Sequence, residues 1–174
     1  MIEKKGFADK YGNILLPTEY REDYEQFSEG LMVLEKDKKF GFTNTMGQIV
    51  IPLIYDEAGK FNEGLAPVLK NGKWGFINSK GETIIDFKFV GVVTSFQNGF
   101  ASYGKRNFSS GAHYTSDLWG AIDKKGNIVI KNKYNNVTTG YNENFVVEID
   151  GKKLLIDRNE NVIAILKYEE RPVQ

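Results

Sequence analysis

Residues with the types and spacing of a catalytic or metal site are few in this chain. It contains one histidine, His113, and no cysteine, and no HExxH spacing surrounds that histidine. Ser109 precedes His113 in "SSGAH", but closeness in sequence does not make a catalytic triad, and no nucleophile-elbow motif is present. We therefore predict that the protein is not an enzyme and holds no metal and no cofactor.

Carboxylates are the other group of side chains that could do chemistry. Two of them about 5 to 10 Å apart can hydrolyse a glycosidic bond. The acidic residues in question recur at turn starts and beside strand starts: Asp9, Asp123 and Asp157, and Glu29, Glu63 and Glu143. These positions do not match the ligand spacing of an EF-hand or a calcium-binding solenoid. A structural use of these side chains is therefore favoured over an acid–base pair.

One irregular segment contains the best candidates for a contact site. Gly99 and Trp119 are 20 residues apart, whereas the matching Gly64 and Trp74 are 10 apart. The extra residues form a hairpin insertion at 103–118, and insertions of this kind often lie on a binding face. The segment offers side chains that could bind a ligand or partner: Lys105, Arg106, Phe108, His113 and Tyr114. A tolerated surface loop or an extended hairpin without a ligand remains the alternative.

Composition limits the classes of partner. The 23 basic and 23 acidic residues give a formal net charge of zero, so the broad basic surface typical of nucleic-acid binders is not expected. No apolar stretch approaches the roughly 20 residues that span a bilayer, so we expect no membrane insertion. No secretory signal is visible, which predicts a cytoplasmic protein, or a secreted one if a leader was removed.

The elements that must position these residues repeat along the chain. A turn glycine recurs as Gly12, Gly47, Gly81 and Gly126, spaced by 35, 34 and 45 residues. The repeat signature also contains an aromatic residue followed by glycine, in the same register: Phe40–Gly41, Trp74–Gly75 and Trp119–Gly120. A period of about 34 residues also fits a helical repeat. Apolar runs of four to six residues between glycine turns favour strands instead.

Local chemistry predicts how each unit turns. Asn71-Gly72 is typical of a tight hairpin with positive φ, and an Asn or Asp three residues before a glycine, as in "NSKG", predicts a second turn closed by the Asx side chain. Gly75 leaves room for a close approach, for which a Trp or Phe of a neighbouring unit is the candidate. Pro67, which has no N–H donor, predicts an edge strand.

The fold expected is all-β. We predict about five tandem antiparallel β-meanders of three strands, or of four if Val92 and Val93 pair. The meanders are expected to stack as an open or incompletely closed curved array, with a closed β-propeller as the alternative. The chain is treated as a single repeat domain, 1–174. Its units are approximately 1–30, 31–64, 65–99, 100–144 and 145–174.

The stretch "GKWGFINSKGETII", with "YDEAGKFNEGLAPV" before it, resembles the WG (KWG) repeat of bacterial tandem β-repeat proteins. The resemblance runs from about Gly6 to Lys167 and weakens in the last unit, where Leu154 stands in the glycine position. It implies a β-repeat scaffold and supplies no catalytic residues.

These observations together predict a non-catalytic scaffold that binds an unknown protein or extended ligand. A carbohydrate-binding or carbohydrate-acting protein that uses surface aromatics and carboxylates is the alternative. A purely structural spacer within a larger assembly is a third interpretation.

Overall fold

The computed structural model describes residues 5–8, 10–22, 26–106, 116–139 and 142–166. All the regular elements in these ranges are β-strands. Among the described residues, no helix is long and apolar enough to cross a membrane. The chain forms two compact units, Met1–Phe96 and Gln97–Gln174.

The first unit contains two antiparallel sheets, in which strands that follow each other in sequence lie side by side, in the orders β1-β2-β3-β4-β5 and β6-β7-β8-β9. Its strands are β1 (Lys5–Ala8), β2 (Ile14–Glu22), β3 (Leu31–Lys36), β4 (Lys39–Asn44), β5 (Ile49–Tyr55), β6 (Glu57–Ala58), β7 (Ala66–Lys70), β8 (Lys73–Ile77), β9 (Thr83–Phe89) and β10 (Val92–Val93).

The second unit repeats this arrangement. Strands β11, β12 and β13 are neighbours in one sheet, and β14-β15-β16-β17 form another. The strands are β11 (Phe100–Arg106), β12 (Ser116–Asp123), β13 (Ile128–Tyr134), β14 (Asn136–Thr139), β15 (Phe145–Ile149), β16 (Lys152–Ile156) and β17 (Val162–Leu166).

The prediction of an all-β chain built from small tandem antiparallel sheets is confirmed, and none of the sheets in the described part of the chain closes on itself. A short fourth strand is added to the three that were predicted for a sheet. It forms where the chain leaves the long third strand of one sheet and pairs at once with the first long strand of the next sheet. Glu57 and Ala58 of β6 pair with Leu69 and Val68 of β7. In the second unit, β14 pairs with β15 in the same way.

The predicted tight hairpins form where expected. Asn71 and Gly72 have φ of 52° and 74°, and positive φ at both central residues is typical of a type I′ turn. Asp150 and Gly151 turn the last sheet in the same manner, with φ of 50° and 71°.

The predicted Asx turns also form. The Asn78 Oδ1 atom accepts hydrogen bonds from the Lys80 and Glu82 amides, both at 3.0 Å, and Gly81 closes the turn with φ of 81°. The same two bonds are made by the side chains that begin the equivalent turns: Asn44, Asp123 and Asp157. Asp9 lies outside the described residues.

The glycine of the Trp-Gly pair is required for a different reason from the one predicted. A Cβ atom on Gly75 would meet the Ile85 carbonyl oxygen at 2.7 Å and the Phe87 side chain at 3.1 Å. The close neighbour is thus the third strand of the same sheet, not a ring of a neighbouring unit. Pairing jumps from Trp74↔Phe89 to Phe76↔Ile85, and the extra residues of β9 bulge over Gly75.

The edge strand predicted from Pro67 is also corrected. Strand β7 lies between β6 and β8. Pro67 stands just beyond the end of the two-residue β6, where its carbonyl oxygen accepts a hydrogen bond from the Gly59 amide at 2.8 Å. The missing N–H donor is tolerated because β6 is too short to need it.

Aromatic rings pack between successive sheets within each unit. Phe42 and Phe61 have ring centroids 4.8 Å apart, and Phe100 and Phe145 are 4.9 Å apart. All four side chains are 6% exposed or less. Trp74 is also buried, and its indole N–H donates to the Gly91 carbonyl oxygen at 2.9 Å.

Candidate functional site

Part of the predicted contact site falls outside what the structure describes. Phe108, His113 and Tyr114 lie outside the described residues. Lys105 and Arg106 belong to β11, and the structure describes their backbone. The prediction that these five side chains contact a ligand or partner stays a prediction.

The described base of the insertion shows how the extra residues join the sheet. In the preceding sheet, the β7–β8 hairpin closes with the pair Lys70↔Lys73. In β11 and β12 pairing runs past the equivalent position to Arg106↔Ser116, with an irregularity after Gly104. The insertion therefore lengthens one hairpin, and the pairing from Phe100↔Asp123 to Gly104↔Trp119 keeps one register.

The other end of the same hairpin borders an open groove of about 280 Å³. Phe100 and Asp123, which pair at this end, line the groove together with Lys125, Glu143 and Arg158. Six residue steps of roughly 3.3 Å each, about 20 Å in all, separate the two ends of β11. The groove and the insertion are thus separate places on the second unit.

Arg158 is the central side chain of the groove. Its Nη1 atom donates to the Glu143 Oε2 atom at 3.1 Å, and its guanidinium lies 5.9 Å from the centre of the Phe100 ring. Phe100 is only 6% exposed, so its ring offers no open stacking surface at this place. The groove is suited to hydrogen bonding by a polar or charged group rather than to aromatic stacking.

The carboxylate of Asp123, which lines the groove, accepts hydrogen bonds from residues of its own turn. Partial burial tends to raise its pKa, but hydrogen bonds from the Asn127 side chain and from the Asn127 and Lys125 amides outweigh this effect and hold the pKa below its usual value. Asp123 is therefore ionised at neutral pH and does not fit the role of a general acid, which must be protonated there.

Two glutamates of the last sheet take backbone positions that glycine fills elsewhere. Glu143 has φ of 60° where Gly64 has 84°, and Glu160 has φ of 63° where Gly126 has 76°. Positive φ strains a residue with a Cβ atom. Sequence reasoning grouped Glu143 with Glu29 and Glu63 and did not connect it with Arg158. The signal available in the sequence was Glu160, which stands at the position of the turn glycines Gly47, Gly81 and Gly126.

Glu160 uses its carboxylate to hold the preceding sheet. Its Oε2 atom accepts a hydrogen bond from the Tyr134 hydroxyl at 2.9 Å and forms an ion pair with Lys133. Partial burial tends to raise the pKa of Glu160, but these partners outweigh it and lower the pKa. The side chain thus has a structural use within the second unit.

Metal ligands are not grouped in the described part of the chain: no cluster of three or more His, Cys, Asp or Glu side chains occurs there. The single histidine, His113, lies outside the described residues.

Comparison with protein families matches this chain to the model described as "WG containing repeat" over residues 40–74, 74–107 and 119–152. The matched residues make up more than half of the chain, and the gap at 108–118 falls within the insertion. A comparison with curated proteins finds no match. Tandem matches in register with the observed sheets show that the chain belongs to the WG-containing repeat family.

Proposed function

We propose that the chain is a non-catalytic scaffold that binds a protein or an extended ligand, with the insertion at 103–118 as the main contact region. The observation that supports this most directly is the gap in the family match at 108–118. The residues that distinguish this repeat from its neighbours are concentrated there, on a hairpin whose base remains paired.

The repeated residues elsewhere in the described chain have structural uses, which favours a scaffold. Asx side chains close turns, and the Trp-Gly glycines allow the third strand to approach. Glu29, a strand-start carboxylate, accepts a hydrogen bond from the Gly64 amide of the next repeat at 3.0 Å. The insertion is the segment that the repeat pattern of the sequence does not account for.

The β7–β8 hairpin supplies a template for the test. Replacing residues 106–117 by Asn-Gly would join Lys105 to Leu118 as Asn71-Gly72 joins Lys70 to Lys73. This short-hairpin variant removes the insertion and retains a turn that the same fold already uses.

We expect the short-hairpin variant to lose partner capture. Immobilised wild-type and variant proteins would be exposed to the same cell extract, and the bound proteins compared by quantitative mass spectrometry. Proteins captured by the wild type should be lost with the short-hairpin variant and kept by an Arg158→Ala control, which alters the groove instead. Equal capture by the folded short-hairpin variant would contradict the proposed role of the insertion.

A further inference from the structure

Strand β17 is an exposed apolar edge. It stands last in the order β14-β15-β16-β17, and no strand of the described chain pairs with its outer side. Its five residues are all aliphatic, and both faces are open: Val162 is 56% exposed, Ile163 53% and Ile165 68%. A free edge of this kind is a template for pairing with another strand.

The equivalent edges of the other sheets are protected at one position. This position lies five residues after the glycine that closes the Asx turn. It is occupied by Pro52 in β5, Asp86 in β9 and Lys131 in β13. Proline removes an N–H donor, and a charge resists burial by an added strand. In the last sheet Glu160 replaces the glycine, and the residue five places later is Ile165. Isoleucine has an N–H donor and no charge, so it does not protect the edge.

The face of the last sheet is also less covered than its counterpart. In the β6–β9 sheet the cross-strand neighbours Phe76 and Ile85 are 0% and 2% exposed. In the β14–β17 sheet the neighbours Leu155 and Ala164 hold these places, and both are only half-buried. An added strand and its side chains would bury this row further.

We propose that β17 pairs with β17 of a second copy of this chain, in antiparallel orientation about a two-fold axis. Antiparallel pairing of one edge with itself is an isologous contact, which closes at the dimer. The strand contains no charge and no proline, so each copy meets apolar side chains on both faces. A partner strand with alternating polar residues would have to bury some of them, which makes an identical strand the best complement.

Two lysine variants test this pairing. Ile165→Lys introduces the residue that Lys131 shows to be compatible with this position. Ile54→Lys is the matched control: Ile54 is 47% exposed on β5, and lysine occupies its equivalents Lys88 and Lys133. Both variants should give the circular dichroism spectrum of the wild type.

Sedimentation velocity over a concentration series provides the measurement. The wild type and Ile54→Lys should show the same monomer–dimer equilibrium, and Ile165→Lys should raise the dimer dissociation constant at least tenfold. A wild type that stays monomeric at every concentration, or a dimer that Ile165→Lys leaves unchanged, would overturn the proposal.

Hydrogen exchange keeps the proposal testable if the Ile165→Lys variant does not fold. Amides of residues 162–166 in the wild type should exchange more slowly at high protein concentration than at low. Slow exchange at both concentrations would mean that the edge is covered within one chain, and fast exchange at both would mean that it is not covered. Either result contradicts pairing with a second copy.

Discussion

The side chains that close the Asx turns come in complementary pairs. The Asn78 amide donates to the Glu82 carboxylate at 2.6 Å, and the Asn127 amide donates to the Asp123 carboxylate at 2.9 Å. When the first residue is Asn, its partner four residues later supplies an acceptor, and when it is Asp, the partner supplies an amide donor. The other turns follow the same rule with the pairs Asn44–Gln48 and Asp157–Asn161.

Replacing the turn aspartates by asparagine should weaken the acid sensitivity of folding. Hydrogen bonds from the Asn161 side chain and amide lower the pKa of Asp157, and the net effect at Asp123 has the same direction. A lowered native pKa stabilises the fold above the unfolded value of about 3.9. That contribution is lost as the pH falls through the native pKa.

We therefore expect the Asp123→Asn, Asp157→Asn variant to lose less thermal stability than the wild type between pH 6 and about pH 3. Asparagine already closes the turn at Asn44 and Asn78, so the variant should fold. Melting temperatures measured across this range test the expectation, and parallel curves for the two proteins would contradict it.

Substitution at Gly75 should be costly because of the nearby backbone. A methyl group there would lie 2.7 Å from the Ile85 oxygen, and such overpacking destabilises by about 1 to 3 kcal/mol. Gly72→Asn is the control, because a Cβ at Gly72 meets nothing within 4 Å and asparagine tolerates its positive φ. Urea unfolding should show Gly75→Ala to be the less stable variant, and equal stability would refute the steric explanation.

Residue types at turns could be predicted from the sequence because the chemistry is local. Asn71-Gly72 and the Asx side chains satisfy backbone groups within a few positions. The neighbour of Gly75 could not, because it depends on a bulge in a strand ten residues away. The Arg158–Glu143 pair was missed for the same reason: its members come from two turns that meet only after the strands have paired.

At the scale of elements, the length of a strand decided whether the sequence could predict it. The strands of five or more residues have apolar runs and turn residues around them. Strand β6 contains two residues, too few for any periodic pattern. Asp56, next to it, accepts hydrogen bonds from Lys39 and from the Asn71 amide at 2.6 and 2.9 Å, contacts with distant residues that no local pattern shows.

The short-hairpin variant also makes an element-scale prediction. Closing a loop of two residues instead of twelve lowers the entropic cost of ordering the chain, by about 0.6 kcal/mol for each halving of length. We expect the variant to be at least as stable as the wild type in urea unfolding. A clear loss of stability would mean that the inserted residues pack against the sheet, and the binding experiment would then need a smaller deletion.

At the scale of the whole molecule, tandem repeats predict stability that varies along the chain. Each repeat contacts mainly its neighbours, so a local defect should spread little. Phe61 is 1% exposed and packs on Phe42, and truncating such a ring costs about 3 to 5 kcal/mol. Phe145 is likewise buried in the second unit, where it packs on Phe100.

We expect Phe61→Ala to speed amide exchange in β3–β9 and to leave β14–β17 protected. Phe145→Ala should give the reverse pattern. Hydrogen exchange read by mass spectrometry measures both, and a uniform increase along the chain in either variant would argue for a single cooperative unit instead.

The repeat itself could be recognised from the sequence since the turn glycine and the aromatic–glycine pair keep one register. The division into two compact units could not be predicted, because the same short motifs occur on both sides of Phe96. The groove around Arg158 could likewise not be predicted, since Arg158 stands in an Asx turn whose other copies have Lys10, Thr45, Ser79 and Lys124 at this position, with no common role.

The regular pairing of β11 with β12 from Phe100 to Gly104 has a practical use. A WG repeat accommodates ten additional residues between its first two long strands, and the pairing from Phe100↔Asp123 to Gly104↔Trp119 keeps one register. The Asn71-Gly72 turn closes the same element without such an addition. A foreign peptide, such as an epitope or an affinity tag, grafted between Lys70 and Lys73 should be displayed on a rigid stem, which would make these arrays suitable frameworks for presenting peptides.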